Sequence, residues 1–179
     1  TKLANELLTP TLVQGSSTSA RGLRFFTVYG PWGRPDMAYF RMIANVISKS
    51  EFNFFGDGSI ERDFTYINDS VSSIIGLMNE LKSNGQGYAD VVNVGGGHPV
   101  SMNHLLETIN LQTNSKVEFN RLAANSNDVM KTMADSTLLN KLIGSYPQVK
   151  IEEGIANTIK WAQKPEISAN LDKWVKSVN

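Results

Sequence analysis

Short runs with the composition of β-strands alternate with amphipathic helical runs along most of this chain, and this alternation limits its fold more than any other feature. The strand-type runs are rich in apolar, β-branched and aromatic residues. They cover residues 23–29, 52–55, 62–67, 90–94 and 116–119. Between them, apolar residues recur at the spacing of one helix face. The alternation predicts an α/β fold, with an α+β arrangement as the alternative.

Particular residues should shape the helices. Three leucines lie at helical spacing within residues 3–8, and Pro10 should disturb that helix unless a turn intervenes. Asp36 should cap the helix that follows it, since aspartate is a favoured N-cap residue. A later helix, capped by Asn68 or Asp69, should carry an apolar face made of Val71, Ile74, Ile75, Met78 and Leu81. The last dozen residues should be loosely attached.

Composition argues against several functional classes. Apolar residues make up 41% and charged residues 19% of the 179 residues, which is ordinary for a globular domain. Lysine plus arginine (17) equals aspartate plus glutamate (17), so the basic excess typical of a nucleic-acid-binding protein is missing. There is no cysteine, and the two histidines lack a metal-binding spacing, so no disulfide or metal site is expected. No apolar run is long enough to span a membrane, and the lack of cysteine fits a cytoplasmic protein.

Three polar segments are candidate sites, and each has a structural alternative. Gly95-Gly96-Gly97-His98-Pro99 follows a strand and precedes a helix, but its glycine spacing does not match G-x-G-x-x-G. We therefore interpret it as a strand-to-helix turn, not a pyrophosphate cradle. Arg62 could grip a phosphate through paired N–H donors, or form a surface ion pair with Asp63. Residues 125–129 could be a solvated turn, or Asp128 could accept hydrogen bonds from ribose hydroxyls.

An ordered set of motifs gives the sequence a family resemblance. The motifs are RFFTVYGPWGRPDMA at 24–38, FFGDG at 54–58, RDFTYI at 62–67, VNVG at 92–95, and Asp128-Val129 followed by Ala134-Asp135. In this order they resemble extended short-chain dehydrogenase/reductases that act on nucleotide sugars. The closest likeness is to UDP-glucuronate 4-epimerases, and it extends from Thr1 to about Gln163.

The resemblance implies an α/β, α+β-like C-terminal portion of such an enzyme, spanning residues 1–179, without the N-terminal Rossmann half. Residues 1–30 would be a remnant of the Rossmann domain's last helix and strand. Lys2 matches the end of the family's Tyr-x-x-x-Lys motif, so it would be the catalytic lysine and would also contact the cofactor. The tyrosine would lie three residues before Thr1. The cofactor NAD would bind mainly in the missing half.

The implied reaction is 4-epimerisation of a UDP-sugar, of the UDP-glucuronate to UDP-galacturonate type. The tyrosine would take a proton from the sugar 4-hydroxyl, and hydride would pass from C4 to NAD and return to the other face. Thr27 would lie near the sugar, and Arg34 would either pair with the sugar carboxylate or merely stabilise its own loop. The remaining contacts would be Phe55 beside the uracil, Arg62 on the diphosphate and Asp128 on the ribose.

The same resemblance sets the expected partners. The ligand would be a UDP-sugar, the full-length protein would be a homodimer, and neither nucleic acid nor membrane would be a partner. The isolated chain should be catalytically inactive, because it lacks the tyrosine and the nucleotide fold. Two alternatives stay open. One is a dehydratase or decarboxylase of the same family, and the other is a non-catalytic sugar-nucleotide-binding domain.

Overall fold

The chain folds into alternating helices and strands, which confirms the predicted α/β class. The computed structural model describes residues 1–83, 85–144 and 148–178. The helices are α1 (Lys2–Val13), α2 (Ala38–Ser48), α3 (Ile67–Leu81), α4 (Met102–Thr113), α5 (Thr137–Ile143), α6 (Ile151–Ala162), α7 (Pro165–Ser168) and α8 (Leu171–Lys176). The strands are β1 (Ala20–Phe25), β2 (Thr27–Tyr29), β3 (Asn53–Phe55), β4 (Glu61–Tyr66), β5 (Ala89–Val94), β6 (Pro99–Ser101) and β7 (Asn120–Leu122).

These strands form three small sheets. β1 lies parallel to β5, with Ala20 opposite Ala89 and Phe25 opposite Val94. β2 lies parallel to β4, and β4 lies antiparallel to β6, so β4 is the central strand of its sheet. β3 lies parallel to β7. Parallel strands need crossover connections, and the intervening helices supply them.

The main hydrophobic core lies among α2, α4, α6 and the C-terminal helices. Tyr39 of α2, Leu105 of α4 and Ile155 of α6 are fully buried there. Leu171 and Val175 of α8 are each only 1% exposed and belong to the same core. The prediction of a loosely attached C-terminal stretch is therefore wrong, because α8 buries its apolar residues.

The single strand predicted over residues 23–29 is divided into two. β1 ends at Phe25, and β2 begins at Thr27 in a different sheet. The change occurs at Phe26, whose N–H still donates to the Val94 carbonyl while its own carbonyl accepts from the Val28 N–H (3.0 Å). This local turn moves the chain from β5 to β4 without a glycine or proline to signal it.

The predicted helix boundaries need three corrections. α1 continues through Pro10 to Val13, so the loss of one amide donor does not end it. The N-cap of α2 is Met37, with no side-chain cap, because the Asp36 carboxylate is bonded to an arginine instead. α3 begins after Tyr66, earlier than predicted, so Asn68 and Asp69 lie inside the helix rather than capping it.

The apolar face predicted for α3 lies on the surface of the described chain. Val71, Ile74, Ile75 and Met78 are between 38% and 51% exposed. The buried residues of this helix are Asp69, Ser70, Ser73 and Leu77. Burial raises the pKa of Asp69. The helix therefore turns a largely polar stripe inward, the reverse of what its amphipathic pattern predicts.

The strand predicted over residues 116–119 is also wrong. Val117 is buried, but its N–H donates to the Asn110 side chain (2.8 Å), and the Glu118 N–H donates to the Asn45 side chain (2.8 Å). Side-chain amides therefore take the place of a strand partner. Ladder pairing begins only at β7, four residues later than the sequence pattern indicates.

Two leucines of α4 provide a matched test of the core. Leu105→Ala should lower the free energy of unfolding by about 2–5 kcal/mol, because Leu105 is 0% exposed and its truncation leaves a cavity. Leu111→Ala, on the same helix but 82% exposed, should change it by no more than about 0.5 kcal/mol. Urea unfolding followed by circular dichroism measures both. Equal losses in the two variants would contradict the described packing of α4.

Candidate functional site

One cavity gathers most of the residues that the sequence singles out. It measures about 260 Å³ and lies among the start of α2, strands β3 and β4, and the segment before Lys131. Thr27, Phe55, Arg62 and Asp128 all line it. These are four of the five residues predicted to bind substrate, and they come from four separate segments. Their individual roles stay predictions.

Each of the four residues reaches the cavity from a different structural setting. Thr27 starts β2, and Phe55 ends β3 with its side chain 52% exposed. Arg62 lies on the central strand β4 with its side chain 22% exposed, and Asp128 lies in an exposed turn. Apolar side chains complete the lining, among them Met42, Phe52, Phe54 and Met102. The cavity thus combines an apolar wall with a cation and an anion that lie 3.6 Å apart.

The Arg62 guanidinium is held by the backbone on one side. Its Nη1 donates to the carbonyls of Glu61 (2.9 Å) and Val129 (2.6 Å). Its Nη2 lies 3.6 Å from a carboxylate oxygen of Asp128. The alternative of a surface ion pair between Arg62 and Asp63 is therefore wrong, since Arg62 faces Asp128 instead.

The neighbouring carboxylate, Asp63, is fully buried and accepts three backbone hydrogen bonds. The donors are the N–H groups of Gly96 (3.1 Å), Gly97 (2.9 Å) and Ala134 (2.7 Å). A buried carboxylate needs such partners, because leaving it without them is energetically expensive. The glycine turn at 95–97 therefore uses its free amides on Asp63. It links β5 to β6, so the turn predicted to lead from a strand to a helix leads to a short strand instead.

Further bonds attach the segment that carries Asp128 to β4. The Glu61 N–H donates to the Met130 carbonyl (2.9 Å), and the Thr132 N–H donates to the Glu61 carbonyl (3.2 Å). The Asp63 N–H donates to the Thr132 hydroxyl (3.2 Å). The exposed turn is thus fixed on its C-terminal side. Sequence reasoning missed Asp63 and Thr132 as supports of this site, since their partners are distant in the sequence.

Arg34 is the predicted substrate residue that does not line the cavity. Its Nε donates to Asp36 (3.0 Å) and its Nη2 donates to the second oxygen of the same carboxylate, so the pair is bidentate. The Arg34 side chain is 77% exposed, whereas Asp36 lines the cavity. The Arg34 guanidinium holds the pKa of Asp36 below its usual range.

Lys2, predicted as the catalytic and cofactor-contacting lysine, is exposed at the first position of α1. It is not among the residues that line the cavity. The structure therefore does not bring Lys2 together with the predicted substrate residues, and its role stays a prediction.

A second cavity, of about 490 Å³, is lined by none of the predicted site residues. It lies beside the glycine turn and the start of α6, with Gly96, His98 and Lys150 among its lining. Within residues 1–83, 85–144 and 148–178, no cluster of acidic or histidine side chains could hold a metal ion. Over the same ranges, no helix combines the length and apolar character needed to cross a bilayer.

The comparisons with known proteins identify the family. The sequence profile of the NAD dependent epimerase/dehydratase family matches residues 1–95, which is more than half of the chain. The chain therefore belongs to this family. The α/β fold agrees with this assignment, because solved structures of NAD-dependent sugar-nucleotide enzymes superpose on the chain.

Three similar proteins show how far the likeness extends. A probable UDP-glucuronate 4-epimerase from Rhizobium meliloti is 35% identical over 90% of this chain and 51% of its own length. The structure of MoeE5 in complex with UDP-glucuronic acid and NAD is 31% identical, with a TM-score of 0.80 over 90% of this chain and 53% of its own. TunA, an NAD-dependent NDP-hexosamine 5,6-dehydratase of tunicamycin biosynthesis, is 32% identical with a TM-score of 0.79, over 92% and 53%. The chain thus spans about half the length of the relatives it matches.

The buried carboxylate beneath the cavity gives a direct stability test. Asp63→Asn should lower the free energy of unfolding by about 2–4 kcal/mol, because an amide cannot accept all three N–H donors and leaves at least one unsatisfied. Asp57→Asn is the control, since an asparagine oxygen can still accept from the exposed Ser59 N–H. Urea unfolding should show the loss only in the first variant. An unchanged stability of Asp63→Asn would contradict the three hydrogen bonds.

Proposed function

We propose that this chain is the substrate-binding portion of an NAD-dependent UDP-sugar 4-epimerase, of the UDP-glucuronate to UDP-galacturonate type. The observation that carries the proposal is the cavity in which Phe55, Arg62 and Asp128 meet. An aromatic ring, a guanidinium and a carboxylate are the three groups suited to a base, a diphosphate and a ribose respectively. Similar proteins named as UDP-glucuronate 4-epimerases support the choice of sugar.

Arg62 is suited to the diphosphate because part of its guanidinium is available. Its Nη1 is engaged by two carbonyls. Its Nε and Nη2 make no hydrogen bond to the described residues, and Nη2 lies 3.6 Å from the Asp128 carboxylate. A phosphate can accept from these two donors side by side, in the bidentate geometry that arginine favours. The carbonyls on Nη1 hold the group in place, so little side-chain freedom is lost on binding.

Phe55 and Asp128 are suited to the nucleoside. The half-exposed ring of Phe55 offers an apolar face at the rim of the cavity, where a flat base can pack. The Asp128 side chain is 48% exposed and its nearest cation is 3.6 Å away, so its oxygens are open to hydroxyl donors. Ribose hydroxyls are donors of this kind.

We propose that NAD binds mainly to a part of the whole protein outside these 179 residues, with Lys2 as a contact from this chain. NAD accepts and returns the hydride in this family's chemistry. The glycine-rich turn between β5 and β6 donates two of its N–H groups to Asp63, so these groups are not free to bind the cofactor's pyrophosphate. We propose that residues 1–30 belong to the cofactor-binding domain, that Lys2 is its catalytic lysine, and that the whole protein is a cytoplasmic homodimer.

A dehydratase of the same family is the second candidate. The similarity to TunA favours it, since that protein matches the chain about as well as MoeE5 does. The similar proteins named as UDP-glucuronate 4-epimerases argue for an acidic sugar and so for the epimerase. A panel of UDP-glucuronate and neutral UDP-hexoses, incubated with a full-length protein that contains this chain, separates the two by the products formed.

Removal of the Arg62 guanidinium tests the diphosphate contact. Arg62→Gln should weaken UDP binding by about tenfold or more, because charge-assisted hydrogen bonds to the phosphates are lost. Arg24→Gln is the matched control, since Arg24 pairs with Glu6 of α1 and does not line the cavity. Isothermal titration calorimetry of each variant with UDP gives the dissociation constants. Equal binding by Arg62→Gln and the parent chain would refute the phosphate role.

The isolated chain should not turn over substrate. Incubation of the 179 residues with UDP-glucuronate and added NAD should give no UDP-galacturonate, because the proposed tyrosine and cofactor domain lie outside this sequence. Chromatography of the sugar nucleotides measures the product. Turnover by the chain alone would show that the active site has been assigned to the wrong residues.

A further inference from the structure

The acidic member of the Arg34–Asp36 ion pair lines the cavity, and the basic member does not. Asp36 lines it beside Thr27 and Met37. The guanidinium edge formed by Nε and Nη2 is occupied by both oxygens of the Asp36 carboxylate. An acidic sugar that enters the cavity therefore meets a carboxylate first, and the cation that would bind it is already engaged.

The Asp36 carboxylate is placed as a substitute for a ligand carboxylate. It does not cap α2, which has no side-chain cap. The two oxygens of Asp36 accept from Nε and Nη2 of Arg34, the same two donors that a sugar carboxylate would use. The aspartate and the sugar carboxylate are planar anions of the same shape. The two residues are only two positions apart in the sequence, and the Arg34 side chain is 77% exposed. The guanidinium can therefore turn without rearranging the core.

We propose that Asp36 is a specificity-determining residue that competes with the sugar carboxylate for Arg34. This inference rests on the proposed function, because it assumes that a UDP-sugar occupies the cavity and that the carboxylate of an acidic sugar reaches Arg34. A sugar with a carboxylate replaces Asp36 on Arg34, and the released Asp36 is left to solvent. A neutral sugar makes no such exchange and leaves the internal pair in place. Selection of an acidic sugar is thus weaker than an unpaired arginine would give.

Competition by Asp36 should lower the affinity for an acidic sugar by a small factor. An exposed ion pair shifts an equilibrium by about two- to fivefold, so this is the amount by which Asp36 reduces affinity for the acidic sugar. Because the pair is exposed, it does not prevent binding altogether. The residue acts on discrimination between sugars and not on attachment of the nucleotide.

Replacement of Asp36 is the direct test. Calorimetry on the 179-residue chain should show that Asp36→Asn binds UDP-glucuronate about two- to fivefold more tightly than the parent chain. UDP-glucose and UDP should bind both proteins equally, since neither presents a carboxylate to Arg34. Asp172→Asn is the matched control, because Asp172 is an exposed aspartate paired with Lys176 outside the cavity.

A double-mutant cycle separates competition from simple charge repulsion. If Asp36 acts through Arg34, the gain in affinity for UDP-glucuronate should vanish when Asp36→Asn is combined with Arg34→Gln. If the gain persists in that background, the removed negative charge acts on the ligand directly, and the proposed competition is refuted.

Two other outcomes also overturn the inference. Weaker binding of UDP-glucuronate by Asp36→Asn would mean that Asp36 orients Arg34 for the ligand rather than competing with it. Unchanged binding would mean that the pair is a loop contact without effect. In both cases UDP still binds and the proposed function stands. A parent chain that fails to bind UDP refutes the proposed function, and the inference with it.

Discussion

The site depends on one buried carboxylate. Asp63 lies directly after Arg62 on the central strand β4, and it accepts hydrogen bonds from the glycine turn that follows β5 and from Ala134 beyond the Asp128 turn. These three N–H groups come from two segments that are distant from Asp63 in the sequence. Because an ionised carboxylate cannot be buried without such donors, the folded chain must bring both segments to Asp63. Arg62 and Asp128 are thereby held next to each other, 3.6 Å apart, in the lining of one cavity.

The sequence predicts the residues of this cavity better than it predicts their supports. Phe55, Arg62 and Asp128 belong to motifs whose order identifies the family, so their convergence could be expected. The role of Asp63 could not, because its donors are 33 to 71 residues away and nothing local marks them. The division of one expected strand at Phe26 is hidden for a similar reason, since a change of sheet depends on distant partners.

Helix α3 shows the limit of hydrophobic periodicity. Its pattern correctly predicts a helix with an apolar stripe, but Ile74 and Ile75 are exposed while Ser70 and Ser73 are buried. Periodicity indicates which residues share a face, and it does not indicate what covers that face. The leucines of α1, such as Leu7 at 69% exposed, behave in the same way. The chain spans about half the length of the relatives it matches.

The central claim is that the cavity holds a uridine diphosphate, and a crystal structure of the chain grown with UDP tests it most directly. The account predicts a phosphate oxygen within hydrogen-bond distance of Arg62 Nε or Nη2, the uracil against the ring of Phe55, and a ribose hydroxyl on Asp128. UDP bound elsewhere on the chain, with these three side chains free of it, would contradict the account.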